Sequence, residues 1–260
     1  MRVKNVVKVM NFHALLRVNA ATTKAELYAE SENELTLMIN LIVNNQNFIL
    51  DKKVLTAKAD NPPLNIYIGN DFGFCGNFNS SINSILKSDI FSPKILIGKK
   101  LAKTKDKPLL RMNKDEFSNR FKEIEAIIGE AINNFTYSKI NVIYNHYHNA
   151  NTFETMRKTI FPIERKESNV LSTEDFVVET DINEILINLV TLYISYEIMI
   201  AATYSYAAEN IMRQQITSES LKKIDEIEAA TLIRERKEKK YRSFQKSIEN
   251  YSRNIIRKGW

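Results

Sequence analysis

Apolar residues in the last third of the chain recur at alternating spacings of three and four. They form one series from Ile182 to Ile200 and another from Tyr241 to Ile255, and neither glycine nor proline occurs from Ile163 to Lys258. Because glycine costs about 1 kcal/mol and proline about 3 kcal/mol inside a helix, this stretch is predicted to be one long helix. Such a narrow apolar seam is typical of a coiled coil.

The helix is predicted to begin at Asp181. Its carboxylate can cap the first turn, and Glu184, three residues later, can complete a capping box. A helix from Asp181 to the C-terminus would be about 120 Å long, at 1.5 Å per residue. No compact domain of this mass needs a helix of that length.

A second seam runs through the N-terminal arm. Its apolar or small residues are Val3, Val7, Met10, Ala14, Val18, Ala21, Ala25, Tyr28, Leu35, Ile39 and Ile42. Alanines in a seam allow another helix to approach closely, so the predicted partner is the C-terminal helix running antiparallel.

All five prolines and five of the six glycines lie between Pro62 and Pro162. That part alternates predicted strands with amphipathic stretches, which argues for parallel strand pairing. The strands are Leu64–Ile68, Lys94–Ile97 and Ile140–Tyr144, and the amphipathic stretches are Ser80–Leu86 and Phe117–Phe135. We therefore predict an α/β fold: a long antiparallel coiled coil of N- and C-terminal helices with an inserted Rossmann-like α/β domain. The predicted limits are 1–52 for the first helix, 53–178 for the insert and 179–260 for the last helix.

The most distinctive local sequence is Asp71–Asn79, which follows the first predicted strand and precedes a helix. Ligands often bind at that position in α/β proteins. However, the sequence lacks the Lys-Ser/Thr of a phosphate loop and the partner motifs of a kinase Asp-Phe-Gly. Cys75 has no His nearby in sequence to form a nucleophile pair. We predict a structural turn, with no catalytic residue and no bound cofactor.

Few residues could hold a metal or form a disulfide. Cys75 is the only cysteine, which excludes an internal disulfide and fits a reducing compartment. His146 and His148 lie two residues apart, but the carboxylates that a zinc site would need cannot be located from spacing. No metal site, signal peptide or membrane span is predicted, and the expected location is the cytoplasm.

The formal charge of +6 is concentrated near the C-terminus. Twelve Lys or Arg and six Asp or Glu lie from Lys222 to Lys258. A basic helix can bind nucleic acid, an anionic membrane surface or acidic protein loops, or can simply be solvated. Composition alone leaves these alternatives open.

Together these features resemble the gamma subunit of F-type rotary ATPases. Asp71, Gly73, Cys75, Gly76 and Asn79 match the family's turn, with Phe72 in place of the usual Arg and Asn77 in place of a second Gly. Other resemblances lie at Val3-Lys4-Asn5, Lys8, Tyr144-Asn145, Ile160-Phe161-Pro162-Ile163, Ser218-Glu219, Lys223-Ile224, Ile227 and Ala230-Thr231. The basic block from Arg234 to Lys246 departs from the family, which indicates a diverged member.

This resemblance implies a non-catalytic rotor shaft that couples ATP hydrolysis or synthesis to rotation and to work at its globular end. Its partners would be the alpha and beta subunits of a catalytic ring, with an epsilon-like subunit and a membrane rotor ring or another driven element at that end. The complex would be peripheral at the inner face of the membrane. The ring contacts are expected at Lys8, Ser218, Glu219, Lys223, Arg234, Arg236, Lys237, Lys239, Lys240 and Arg242.

Two other functions remain as hypotheses. One is a nucleic-acid or membrane-surface reader built on the basic helix, although Tyr241, Phe244 and Tyr251 lie in its seam and are better suited to packing than to stacking on bases. The other is a small nucleotide-binding enzyme, for which no catalytic constellation accompanies the insert.

Overall fold

Two long helices flank a smaller α/β region. The computed structural model describes residues 2–45, 48, 50, 60–149, 152–163 and 181–258. Helix α1 spans Arg2–Val43 and helix α4 spans Ile182–Lys258. The predicted domain boundaries at 52/53 and 178/179 lie outside the described residues and stay a prediction.

The α/β region between them is built on one five-stranded sheet. In chain order its elements are β1 (Leu64–Ile68), α2 (Ser80–Ser88), β2 (Lys94–Ile97), β3 (Leu110–Met112), α3 (Lys114–Asn133), β4 (Ile140–Asn149) and β5 (Thr152–Phe161). The strand order is β3-β2-β1-β4-β5. Pairing is parallel except between β4 and β5. The predicted fold class, its three strands and their parallel pairing are confirmed.

Two strands were absent from the sequence prediction. β3 has three residues, which is too short for a recognisable pattern. β5 forms an antiparallel ribbon with β4, from the Ile140–Phe161 pair to the Asn149–Thr152 pair, and this ribbon extends β4 beyond the predicted end at Tyr144. Only the last two residues of β5 are buried, so its apolar signal is weak.

Helix α3 begins earlier than predicted because of a cap. The Asn113 side chain accepts from the Glu116 amide at 2.7 Å, and the Glu116 carboxylate accepts from the Asn113 amide at 3.1 Å. This capping box satisfies amides that the first turn leaves unpaired. The sequence carried the signal, an Asn followed three residues later by Glu.

The two faces of the sheet have separate cores. Alternate side chains of a strand point to opposite faces. On one face Ile66 and Ile68 pack with α3, α4 and the end of α1. On the other face Tyr67 packs with Ile82 and Leu86 of α2. The long helices therefore pack on one face of the sheet only.

The first part of α4 buries two faces. The face toward the sheet contains residues with no exposed surface, namely Leu186, Val190, Ile194 and Ile198. The predicted seam residues Tyr193 and Tyr196 are half-buried, and the Tyr196 ring lies against Tyr28 of α1. A narrow seam was thus an incomplete prediction for this part, because the helix lies between the sheet and a second helix.

The predicted start of α4 is confirmed. The Asp181 carboxylate accepts from the Asn183 amide at 2.9 Å, and the Ile185 amide donates to the Asp181 carbonyl. The cap thus uses the second helical amide, where the predicted capping box requires the amide of Glu184.

Helices α1 and α4 run antiparallel. Lys4 pairs with Glu228 at 2.6 Å near one end, and the Tyr28 and Tyr196 rings lie 6.0 Å apart farther along. The predicted α1 seam is confirmed for its buried members Ala14, Val18, Ala21, Ala25, Leu35, Ile39 and Ile42. It is wrong at Val3, which is 70% exposed.

Among the residues that the structure describes, no other helix packs on the far part of α4. Every residue from 229 to 254 is exposed, and we call this stretch the basic segment. Its predicted seam is unpacked, with Tyr241 and Phe244 each 64% exposed. Lys4 of α1 lies level with Glu228, and the described residues place no helix against the seam beyond it, so the predicted coiled coil of this part stays a prediction.

Helix α4 is also long and apolar enough, by composition, to cross a membrane. It is the only such helix among the residues that the structure describes. Core helices meet the same criterion, and the apolar residues of α4 pack on the sheet. Composition is therefore weak evidence for a span.

Candidate functional site

Asp71 ties together three elements at the carboxyl edge of the sheet. One carboxylate oxygen accepts from the Lys99 amide at 2.7 Å and the other from the Lys114 amide at 2.8 Å. The side chain is buried, so these two bonds satisfy a charge that burial would otherwise penalise. Asp71 thus fixes the turn after β1 against the segment after β2 and the start of α3.

The remainder of the turn is shaped by its own side chains and by α4. The Asn79 amide donates to the Asn70 side-chain oxygen at 2.7 Å. Gly76 has φ +47°, and a Cβ there would lie 3.0 Å from Met212 Cε on α4. Glycine is favoured at this position by both conformation and space. Gly73 is unconstrained, since the nearest atom to an added Cβ is Lys100 Nζ at 3.8 Å.

Cys75 lies between the turn and α4. Its thiol is 2% exposed, and Arg213 donates to Sγ at 3.3 Å. Burial raises the pKa of the Cys75 thiol, and the lowering effect of Arg213 does not overcome it. A protonated, enclosed thiol is a poor nucleophile, which suits a packing role.

A buried ion cluster connects α3 to α4 beneath this turn. Glu209 is 1% exposed; one carboxylate oxygen lies 2.7 Å from Lys114 Nζ and the other 2.6 Å from Arg213. Sequence analysis missed these residues. A signal existed, because Glu209 and Arg213 are the only charged residues between Glu197 and Glu219 and are spaced one helical turn apart.

A second ion pair connects α4 to the edge strand. The Glu197 carboxylate, 4% exposed, lies 2.7 Å from Lys158 Nζ of β5. Since Glu197 and Glu209 are both on α4, the helix is attached to the α/β region at two charged points.

Four of the predicted ring contacts lie at one level of the helix pair. Lys8 falls between two antiparallel contacts, Lys4 with Asp225 and Asn11 with Thr217. This register places it level with Ser218, Glu219 and Lys223. Glu219 and Lys223 form an exposed pair at 2.6 Å. The hydrogen bonds that Lys4 donates to the Asp225 and Glu228 carboxylates raise the pKa of Lys4.

The other six predicted contacts lie in the basic segment, beyond the helix pair. They are Arg234, Arg236, Lys237, Lys239, Lys240 and Arg242, and all are exposed. At about 100° per residue they point in every direction around the helix axis. The basic segment therefore presents positive charge all round, with no single binding face.

The two histidines of β4 form polar and ring contacts. Tyr144 Oη lies 3.0 Å from His146 Nδ1, and His148 lies 3.0 Å from Glu154. The His146 ring packs on Tyr204 of α4 at 4.6 Å, and burial lowers the pKa of His146. Among the described residues no group of three His, Cys, Asp or Glu side chains could hold a metal ion.

The chain resembles proteins of one family along most of its length. The family model described as ATP synthase matches residues 1–241. The ATP synthase gamma chain of Mycoplasma mobile is 29% identical over 201 residues, covering 72% of this chain and 70% of that one. The gamma chain of Clostridium novyi is 27% identical over 244 residues, covering 88% and 80%.

Solved structures show the same fold. The central stalk/c-ring structure of Tetrahymena thermophila mitochondrial ATP synthase contains a chain with a TM-score of 0.56 at 19% identity, covering 83% of this chain and 99% of that one. A chain in the Euglena gracilis mitochondrial ATP synthase structure of OSCP, F1 and c-ring gives 0.52 at 14% identity, covering 99% and 96%. At these identities the likeness establishes architecture.

Proposed function

This chain belongs to the ATP synthase family as a gamma-type member, and we propose that it is the non-catalytic central rotor shaft of an F-type rotary ATPase. It couples ATP hydrolysis or synthesis in a ring of alpha and beta subunits to rotation. The α/β region is the end that does work, on an epsilon-like subunit, a membrane rotor ring or another driven element. The complex is cytoplasmic and peripheral at the inner face of the membrane.

One observation carries this proposal: α4 continues without interruption from the buried core of the sheet into the exposed basic segment. A rotor shaft must be held firmly at one end, and its other end must be free to turn inside the ring. The first part of α4 is packed against the sheet and α1, and the last part touches neither. Its 77 residues extend about 115 Å.

Charge on the basic segment suits rotation inside a ring. A side chain that interlocks with a partner resists turning, whereas Coulomb attraction falls off slowly with distance. Cations around the whole circumference give similar attraction to acidic loops at every angle. A nucleic-acid reader would instead concentrate cations on the face that meets the phosphates.

The chain's own side chains support a non-catalytic role. Both oxygens of Asp71 are occupied by backbone amides, and burial holds the Cys75 thiol protonated by raising its pKa. Both groups therefore serve the packing of the turn against its neighbours. The nucleotide sites then belong to the ring subunits.

Purification from the native source tests the assembly. We expect subunits with nucleotide-binding motifs to copurify in threefold excess over this chain, and the chain alone to show no ATPase activity. Robust turnover by the chain alone, abolished by Asp71→Ala, would overturn the non-catalytic assignment.

Reversing the six basic residues to Glu tests the ring contact. Single reversals should have mild effects, because an exposed ion pair contributes only about 0–1 kcal/mol, and impairment should grow with the number changed. Coupling of hydrolysis to rotation should fall while nucleotide binding to the ring is retained. The control reverses Lys103, Lys105 and Lys107, which are exposed in the α/β region, and is compared with a reversal of three of the six basic residues. Normal coupling, together with tight DNA or RNA binding that weakens steeply as the salt concentration rises, would favour the nucleic-acid-binding function instead.

A further inference from the structure

Glu209 receives its two cations from different parts of the molecule. Lys114, at 2.7 Å, is the first residue of α3, whereas Arg213, at 2.6 Å, lies one turn farther along α4. Arg213 also donates to Asn210 at 2.7 Å and to Cys75 Sγ at 3.3 Å. The carboxylate therefore joins the helix to α3 directly and to the turn after β1 through Arg213.

Glu197 makes the corresponding attachment at the other side of the helix. Lys158 of β5 donates to both of its oxygens, at 2.8 and 2.7 Å, and Tyr193 Oη lies 3.4 Å away. The two glutamates are 12 positions apart, which corresponds to about 18 Å along the helix and about 120° around it. Two charged attachments at different heights and angles resist rotation of the helix better than one.

Apolar packing alone would hold α4 less firmly against twisting. The contacts of Leu186, Val190, Ile194 and Ile198 oppose separation of helix and sheet, but hydrophobic attraction has no preferred direction. Charge-assisted hydrogen bonds depend on angle and distance, so they do oppose a small rotation. Beyond Glu209 the helix has no further ion pair to the α/β region among the described residues.

We propose that Glu197 and Glu209 are positioning residues that fix the rotational register of α4 in the α/β region, so that torque applied to the far helix turns that region without slip. The inference rests on the proposed rotor function for its purpose. The mechanical linkage itself can be measured in the isolated full-length chain.

The variants are chosen so that the protein still folds. Lys114→Met breaks the link to α3 but leaves Glu209 neutralised by Arg213, so no buried charge is left alone. Lys158→Met is made together with Glu197→Gln for the same reason, and the combined variant carries these two changes and Lys114→Met. Lys114→Arg is the conservative rescue. Arg120→Met is the matched control, because Arg120 pairs with Glu123 at 2.7 Å within α3 and joins no second element.

Nitroxide labels at Lys87→Cys and Glu226→Cys report the orientation of the far helix relative to the α/β region. Both positions are exposed, whereas Cys75 is buried and stays unlabelled. Pulsed electron paramagnetic resonance should give a narrow distance distribution for the parent. Lys114→Met should broaden it about twofold, and the combined variant should broaden it further, because directional bonds are lost. Lys114→Arg and Arg120→Met should match the parent.

The two possible failures are distinguishable. Parent-like width in Lys114→Met and in the combined variant overturns the positioning role, even if both proteins are less stable to urea. If the distance distribution broadens in these variants, the linkage is supported. If the parent complex also hydrolyses ATP without rotating, the rotor function is wrong while the linkage remains. In a rotating complex, the variants should transmit less torque to a bead on the α/β region at an unchanged hydrolysis rate.

Discussion

The two ends of α4 are parts of one helix in opposite environments. Near its start the helix lies between the sheet and α1, and Ile194 has no exposed surface. In the basic segment every residue is exposed, and the ion pair there is local, between Arg234 and Glu238. Long helices in proteins are held mainly by packing of an apolar face, so the first part supports itself and the second depends on its surroundings. That division is what a shaft needs.

Matched truncations at the two ends should give the largest contrast. Ile194→Ala removes a fully buried side chain and should lower the free energy of unfolding by about 2–5 kcal/mol. Ile248→Ala, at a position 50% exposed, should change it by no more than about 0.5 kcal/mol. Urea denaturation followed by circular dichroism measures both. Equal losses would mean that the far end is packed in solution, and the comparison would fail.

Two glycine substitutions, one in the turn beside α4 and one in α3, should have smaller effects of opposite sign on the free energy of unfolding. Gly76→Ala must adopt a left-handed backbone at φ +47° and press on Met212, which should cost about 1–2 kcal/mol. Gly129→Ala, inside α3, meets Thr191 at an ordinary 3.7 Å and should gain up to about 1 kcal/mol in helix propensity. Thermal unfolding should separate the two variants, and a neutral Gly76→Ala would contradict the close packing of turn on helix.

The smallest expected effect concerns pH at the anchored end. Burial and His148 lower the pKa of His146, while Glu154 opposes and Lys158 assists this shift. Because the unfolded state binds a proton near the ordinary pKa of 6.5 and the folded state resists it, stability should fall as the pH drops below that value. This contribution is fully present above it.

His146→Phe should make the decline in unfolding free energy between about pH 7.5 and pH 5.5 shallower. His13→Phe, on the exposed side of α1, serves as the control. An unchanged decline in His146→Phe would show that the ring packed on Tyr204 does not contribute to it.

The sequence predicted the features that repeat and missed those that depend on distant partners. The seam through Ala14, Ala21 and Ile39 and the strand Leu64–Ile68 follow from spacing and composition, because burial imposes a period on a helix and an apolar run on a central strand. By contrast, the seam at Tyr241 has the same spacing but is exposed among the described residues. Periodicity shows that a face could pack, and tertiary contacts decide whether it does.

The buried ion cluster of Lys114, Glu209 and Arg213 could not have been predicted from sequence spacing alone. Glu209 and Arg213 are visible as an isolated pair in sequence, but Lys114 lies 95 residues away from Glu209. Asp71 was predicted as part of a turn, whereas its bonds to the Lys99 and Lys114 amides depend on how β1, β2 and α3 meet. Such contacts depend on how the fold brings distant parts of the chain together. The predicted ring contacts from Lys8 to Arg242 stay a prediction.

Single-molecule rotation tests the central claim most directly. The reconstituted alpha and beta ring is fixed to a surface through its stationary subunits, and a bead is attached at Lys87→Cys on the α/β region of this chain. On addition of ATP the bead should turn in one direction and stop when ATP is replaced by a non-hydrolysable analogue. A complex that contains this chain and hydrolyses ATP while the bead shows only undirected fluctuation would contradict the rotor assignment.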